Sequence, residues 1–172
     1  RVQRRQEQWT LRVDAPHSEL LALLRYMYTD AVDLADCNVE ALKRVAREWQ
    51  MPAVAKMCES VDDERVVIPS STYLADMRGC INDAATADVS FEVDERVVRA
   101  HRAVLVHRCD YFKALLDGQF REASEGHVLV NDVEYNVFLA GLTYLYTGSI
   151  DAANAQLLFD LLYVSDFWHL DE

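Results

Sequence analysis

The run Asp88-Val-Ser-Phe-Glu-Val93 alternates apolar and polar residues, the pattern of a strand with one buried face. Asp94-Glu95 makes a turn, and Arg96–Ala100 reads as the returning strand of a hairpin. His101–Val106 reads as a short helix. Asp110 is placed as the N-cap of a second helix over Tyr111–Leu116, which carries Phe112, Leu115 and Leu116 on one face and stops at Gly118. His127–Val130 is a third short strand. Asp132 is placed as the cap of a helix over Glu134–Tyr146, with Val137, Phe138, Leu142 and Leu145 on its apolar stripe. Gly148 stands where that helix needs a left-handed residue to end it. Ala155–Trp168 reads as the last helix, rich in Leu158, Phe159, Leu162, Tyr163 and Phe167.

The earlier half repeats only the later part of this plan. Trp9–Val13 reads as a strand, and Glu19–Tyr28, Val39–Trp49 and Pro52–Cys58 as helices. Asp30 takes the place of Gly148, and Asp tolerates the left-handed region better than most residues. The repetition is also literal. Trp9–Asp36 aligns with His127–Asn154 at an offset of 118, with 10 of the 28 positions identical. The clearest block sets Tyr26-Met-Tyr-Thr-Asp-Ala-Val-Asp33 against Tyr144-Leu-Tyr-Thr-Gly-Ser-Ile-Asp151. A one-residue slip near Cys37 then brings Leu42, Val45 and Trp49 onto Leu161, Val164 and Trp168. Two tandem copies of one domain fit this better than a solenoid. The expected boundaries are 1–58 for a truncated first copy, 59–87 for a linker with a short helix near Tyr73–Met77, and 88–172 for a second copy. No counterpart of 88–126 lies before Trp9 and no initiator Met is present, which points to a fragment of a longer protein. Without those partners Trp9, Leu20, Leu23, Leu24 and Trp49 are expected to expose an apolar face.

Composition narrows the function. The chain has 172 residues, 51% hydrophobic and 27% charged, with a net charge of −12. By segment, residues 1–58 carry +1, 59–87 carry −4 and 88–172 carry −9. An acidic second copy is a poor binder of nucleic acid, whose phosphates call for Lys and Arg. The cluster Arg1, Arg4 and Arg5 reads as a solvated start. Cys37, Cys58, Cys80 and Cys109 form no C-x-x-C pair, which argues against a zinc site and a disulfide framework and for a reduced compartment. No signal peptide and no apolar run of transmembrane length is evident, so no membrane partner is expected.

Reactive chemistry finds little support. His17, His101, His107, His127 and His169 show no metal-ligand spacing with a carboxylate or Cys. His107 and Cys109 hint at an activated thiol, but neighbours at a helix end rarely face each other and no orienting third group is evident. With 5 Gly in the whole chain, a phosphate cradle has little to be built from. No catalytic residue, cofactor or metal is assigned. His101 is expected as a hydrogen-bonded core residue, one Tyr of each Tyr-x-Tyr pair as core, and Val104, Leu105, Phe112, Leu115 and Leu116 as a core stripe.

The separated motifs Asp88-Val-Ser-Phe, Ala100-His-Arg-Ala-Val-Leu105, Tyr111-Phe112 and Tyr144-Leu-Tyr-Thr-Gly148 resemble the BTB/POZ domain. The resemblance covers residues 88–172 as a core domain and 9–58 as the C-terminal half of another. It implies an α+β fold, a helical cluster flanked by a short-stranded sheet, here in one and a half tandem copies. The tandem arrangement is similar to the ankyrin-repeat BTB/POZ group; kelch-type leucine-zipper-like regulators and Rho-related BTB proteins also carry tandem copies.

The resemblance further implies a protein-interaction adaptor that holds substrate proteins against a cullin-3 ubiquitin ligase, in the cytoplasm or nucleus. In that subset a hydrophobic residue, any residue and a Glu contact the cullin, and Phe120-Arg121-Glu122 fits, giving Phe120 and Glu122 as the cullin-binding pair. The same offset in the first copy holds Val2 and Arg4, so the contact belongs to the second. The resemblance also places Asp88 and Arg102 in a charged pocket near the centre of a BTB pair, where a fold-specifying ion pair without a ligand is preferred. The alternative is a scaffold with no ligase link, in which BTB copies pair in cis or as a homodimer.

Overall fold

A computed structural model describes residues 12–34, 36–60, 71–117, 126–150 and 155–168. They divide into two units, Arg1–Ser71 and Thr72–Glu172. Among the described residues are eight helices and one three-stranded sheet.

The first unit is a helix cluster, α1 His17–Thr29, α2 Val39–Glu48 and α3 Pro52–Ser60. The strand expected over Trp9–Val13 falls mostly outside the described residues. Helix α2 buries Leu42, Val45 and Ala46 on one stripe and turns Glu40, Arg44 and Glu48 to solvent. Asn38 caps it by accepting the Ala41 N–H at 3.0 Å. Its end is a Schellman turn: Gln50 sits at φ 57°, its N–H bonds the Arg47 carbonyl, and the Met51 N–H reaches back to Ala46 at 2.8 Å. Pro52 then opens α3, where a missing N–H costs nothing. Glu19 is buried, yet both its oxygens are used. One accepts the Asn38 N–H at 2.9 Å and the other the Ser18 hydroxyl at 2.7 Å. The Ser18 bond, followed by the Asn38 bond, holds its carboxyl below the ordinary carboxylate value.

The second unit begins with α4, Tyr73–Cys80, inside the stretch expected as linker. After it, Asn82 grips the sheet edge at two points: its N–H donates to the Arg99 carbonyl at 2.9 Å, and its side-chain oxygen accepts the Arg99 N–H at 2.7 Å. Strand β1, Val89–Val93, pairs antiparallel with β2, Arg96–Ala100, and parallel with β3, His127–Val130, in the order β2-β1-β3. Asp94 and Glu95 both hold positive φ, 48° and 60°, as a two-residue turn matched to strand twist requires. Val89, Phe91 and Val93 point into the core and alternate with half-buried Ser90 and Glu92.

Helices α5, Arg102–Arg108, α6, Asp110–Asp117, α7, Tyr135–Thr147, and α8, Ala155–Phe167, complete the unit. Two expected caps are corrected. Asp110 is the first residue of α6 rather than its cap. The α7 N-terminus is served not by Asp132, which sits at φ 64°, but by Asp94 of the hairpin turn, whose carboxylate accepts the Tyr135 N–H at 2.8 Å. Local spacing favoured Asp132; the fold brings a carboxylate from 41 residues away instead.

The duplication is structural at its clearest block. Helices α1 and α7 share identical bounds at the offset of 118, and each ends on a left-handed residue. Asp30 has φ 58° and Gly148 has φ 68°, and each N–H bonds the preceding Tyr26 or Tyr144 carbonyl at 2.7 Å. Burial diverges, however. Leu142, Leu145 and Tyr146 are buried, whereas their counterparts Leu24, Met27 and Tyr28 are exposed. The expectation of a core Tyr in each pair holds fully for Tyr146, 4% exposed, and in part for Tyr26, half-buried against the first core; Tyr28 is 76% exposed. Leu23, expected on an exposed face, is fully buried.

In the second unit the core is organised by aromatic rings. Phe91 meets Phe112 and Phe138 at 5.5 and 5.2 Å between centroids, and Trp168 meets the same two at 4.9 and 5.5 Å. Each ring of the four thus touches two others in tilted or edge-to-face geometry. Gly141 makes room for the indole: a Cβ there would lie 2.6 Å from a Trp168 ring carbon. The ring is pinned by Phe112 and Phe138 and cannot swing away. Gly141→Ala should therefore destabilise the second unit by about 1–3 kcal/mol, as overpacking does, measured by urea unfolding of native and variant chains; an unchanged midpoint would refute this seating.

Candidate protein-interaction surface

Helix α5 is the hub of the polar contacts in the second unit. Asp88, an exposed residue just before β1, accepts the Arg102 N–H at 2.6 Å and so places a negative charge at the start of α5. The Arg102 side chain is half-buried and its guanidinium donates to the Leu116 carbonyl at the end of α6. At the other end of α5, Arg108 donates from Nε to the Leu145 carbonyl at 3.1 Å, near the end of α7. Two cations on one short helix therefore meet the carbonyl-rich ends of its two neighbours. Asp88 and Arg102 come together through the Arg102 backbone N–H, with Asp88 exposed and Arg102 half-buried.

His101, expected as a hydrogen-bonded core residue, is half-buried and fully engaged. The Tyr146 hydroxyl accepts its N–H at 2.7 Å and lies 2.9 Å from Nδ1, while Nε2 lies 2.9 Å from the Thr86 hydroxyl. Thr86 in turn donates to Asp83 at 2.6 Å. Burial pushes the Tyr146 phenol up from 10.0 to about 12. This chain of bonds fastens the segment before β1, the start of α5 and the end of α7 to one another.

The His107–Cys109 pair is not a catalytic couple. His107 Nδ1 contacts the Ala103 carbonyl at 2.8 Å, and the buried Cys109 thiol donates to the Trp168 carbonyl at 3.4 Å. Burial pushes the Cys109 thiol above its ordinary value, the opposite of what a nucleophile needs. Among the described residues no group of three His, Cys, Asp or Glu is placed to hold a metal. No helix among them is long and apolar enough to cross a membrane. Phe120 and Glu122 lie outside the described residues, in the stretch 118–125 that follows α6.

The profile of the BTB/POZ domain matches residues 3–65 and 80–172, one match in each of the two repeated stretches. The chain belongs to the BTB/POZ domain family. It is similar to Rho-related BTB domain-containing protein 3 of Mus musculus, 30% identical over 131 residues, covering 76% of this chain and 21% of that protein. Rho-related BTB domain-containing protein 1 of Homo sapiens is 24% identical over 132 residues, covering 73% of this chain and 19% of that protein. A protein of Arabidopsis thaliana named ARM repeat protein interacting with ABF2 is 34% identical over 91 residues, 53% of this chain and 13% of that protein. The chain thus spans about a fifth or less of the length of these relatives. Two of these names join BTB to a Rho-related protein and the third names an ARM repeat; none of the three mentions ankyrin repeats.

A BTB/POZ domain is a protein-interaction module, so what matters in it is surface. Arg108, Asp94, Gly141 and Tyr146 hold the BTB scaffold, and none of them stood out as polar or spatial partners in the sequence. Only Tyr146 left a trace, as half of the repeated Tyr-x-Tyr.

Two outcomes follow from this geometry. Tyr146→Phe leaves the His101 N–H without its acceptor and should cost about 1–3 kcal/mol. The native state also keeps the Tyr146 proton where the unfolded chain releases it. Stability is therefore whole below pH 10.0 and falls as pH rises toward about 12. Urea unfolding across that range should show a steeper alkaline loss for the native chain than for Tyr146→Phe, and parallel curves would refute it. Separately, Cys109 should resist iodoacetamide at neutral pH until the chain is unfolded; selective labelling of Cys109 in the native state would revive a thiol chemistry.

Proposed function

We propose that this chain is the docking part of a non-enzymatic adaptor, and that its second BTB unit recruits a cullin-3 ubiquitin ligase through Phe120 and Glu122. The observation that carries the proposal is the Phe120-Arg121-Glu122 triplet directly after α6, within the stretch that the BTB profile matches. An aromatic anchor beside a carboxylate suits a protein contact. The ring fills a pocket on the partner, and the carboxylate pairs with a cation or takes backbone N–H bonds. Substrate proteins are captured by regions beyond these 172 residues, in the cytoplasm or nucleus. Asp88 and Arg102, joined at the start of α5, are assigned in this reading to the face on which BTB domains pair, in cis or as a homodimer.

The acidic balance of the second unit supports a protein partner over a nucleic acid. Pull-down with a purified cullin-3 N-terminal domain tests the assignment. Phe120→Ala removes the anchor and should cost about 2 kcal/mol or more, roughly thirtyfold in Kd. Glu122→Lys should weaken binding similarly by reversing charge. Undiminished capture by both variants would leave the scaffold reading, an interaction module with no ligase link, as the one that stands.

A further inference from the structure

The turn that ends α7 occurs twice in the chain. In the second unit the Thr147 hydroxyl donates to the Thr143 carbonyl at 2.7 Å and accepts the Ser149 N–H at 3.2 Å. In the first unit the Thr29 hydroxyl does the same with the Arg25 carbonyl at 2.7 Å and the Ala31 N–H at 3.3 Å. Ala31 stands at the place of Ser149. The turn therefore forms without a hydroxyl at this position, and the Ser149 side chain is surplus to it. Ser149 is half-buried and lies in the connection that follows α7, outside any helix.

Two cations from other helices converge on this turn. Arg78 of α4 donates from Nη2 to Ser149 Oγ at 3.5 Å. Arg108 of α5 holds the Leu145 carbonyl through Nε, and its Nη2 lies 3.9 Å from where a Cβ on Gly148 would stand. Both arginines are exposed. The oxygens they meet here, a hydroxyl and a carbonyl, carry no formal charge. A guanidinium fork matches the oxygens of a phosphate, and two forks beside one hydroxyl are a setting in which a phosphoryl group gains charge-assisted bonds. The carbonyl-rich end of α7 works the other way, since it disfavours an anion. Two full positive charges outweigh the partial charge of a helix end.

From this convergence we propose that Ser149 is a phosphoryl acceptor, and that its phosphate is clasped between Arg78 and Arg108, strapping α4 and α5 to the end of α7. The donor is a nucleoside triphosphate held by a protein kinase. The bond from Ser149 Oγ to the γ-phosphorus forms as the bond from that phosphorus to the nucleoside diphosphate breaks, and the hydroxyl proton passes to a base of the kinase. Asp151, two places after Ser149, supplies the acidic flank that an acid-directed kinase takes. The first unit, with Ala31, has no acceptor at this place. The inference does not rest on the cullin reading.

The test uses the full chain. An acid-directed serine/threonine kinase with ATP should place a phosphoryl group on Ser149, located by fragmentation mass spectrometry. Ser149→Ala should melt as the native chain does, because Ala31 keeps the same turn. The chain carrying phosphoserine in place of Ser149 is then titrated by phosphorus NMR. Its phosphate should be about tenfold more acidic in the native chain than in urea. Arg78→Gln should shrink that difference while circular dichroism shows the fold retained. The phosphorylated chain should also melt higher than the unmodified one. A phosphate that only projects into solvent titrates alike in both states and ignores Arg78. No phosphate on Ser149, equal acidity in the native and unfolded chains, a difference that Arg78→Gln leaves whole, or a lower melting point each overturns the proposal.

Discussion

The second unit depends on one close approach, the Trp168 indole laid against the bare backbone of Gly141. That contact lets α8 lie near enough to α7 for Trp168 to close the circuit of rings with Phe91, Phe112 and Phe138. Through Phe91 the circuit fixes the sheet, and through Phe112 it fixes α6. The Cys109 thiol bonded to the Trp168 carbonyl adds a polar tie at the same place. Rings in such an arrangement tolerate little change of volume, because interiors are packed as densely as organic crystals.

The first unit solves the same problem differently. Leu23 takes the place of Gly141 and is fully buried, so the equivalent Trp49 stays half-buried rather than sinking into the core. Glu19 stands where Val137 does and links α1 to the start of α2 through hydrogen bonds rather than apolar contact. The outer face of α1, with Leu24, Met27 and Tyr28, is open where α7 is covered by the elements around α5. One backbone plan thus carries two cores, and the solvent-facing residues of α2 and α8 have diverged from charged to aromatic.

That divergence concerns the exterior of the two units. Asp88, Arg102, Arg108, His101 and Tyr146 spend their bonding on holding hairpin and helices together. Residues so engaged make a firm platform and leave recognition to the side chains outside it. A domain of this kind acts by the shape and charge of its exterior, and in the second unit that exterior is acidic and, along α8, aromatic.

Much of this was legible in the residues alone. The alternation in 88–93 gave β1, the Tyr-x-Tyr-Thr blocks gave two matching helices, and Asp30 and Gly148 marked their ends. These signals are local: strand alternation, helical period and left-handed termini act within a few residues. The order of motifs also gave the family, and with it Phe120, Glu122, Asp88 and Arg102 as candidates. The sequence did not show that Asp94 rather than Asp132 serves α7, nor that Arg102 and Arg108 reach the ends of two other helices. It also left open that Tyr146 is buried while Tyr28 is not. Each of these depends on which groups from distant parts of the chain share a small volume. Burial and long-range hydrogen bonds are settled by packing between elements, so identical residues in a repeated block meet different surroundings, and only the tertiary structure decides which of them become core.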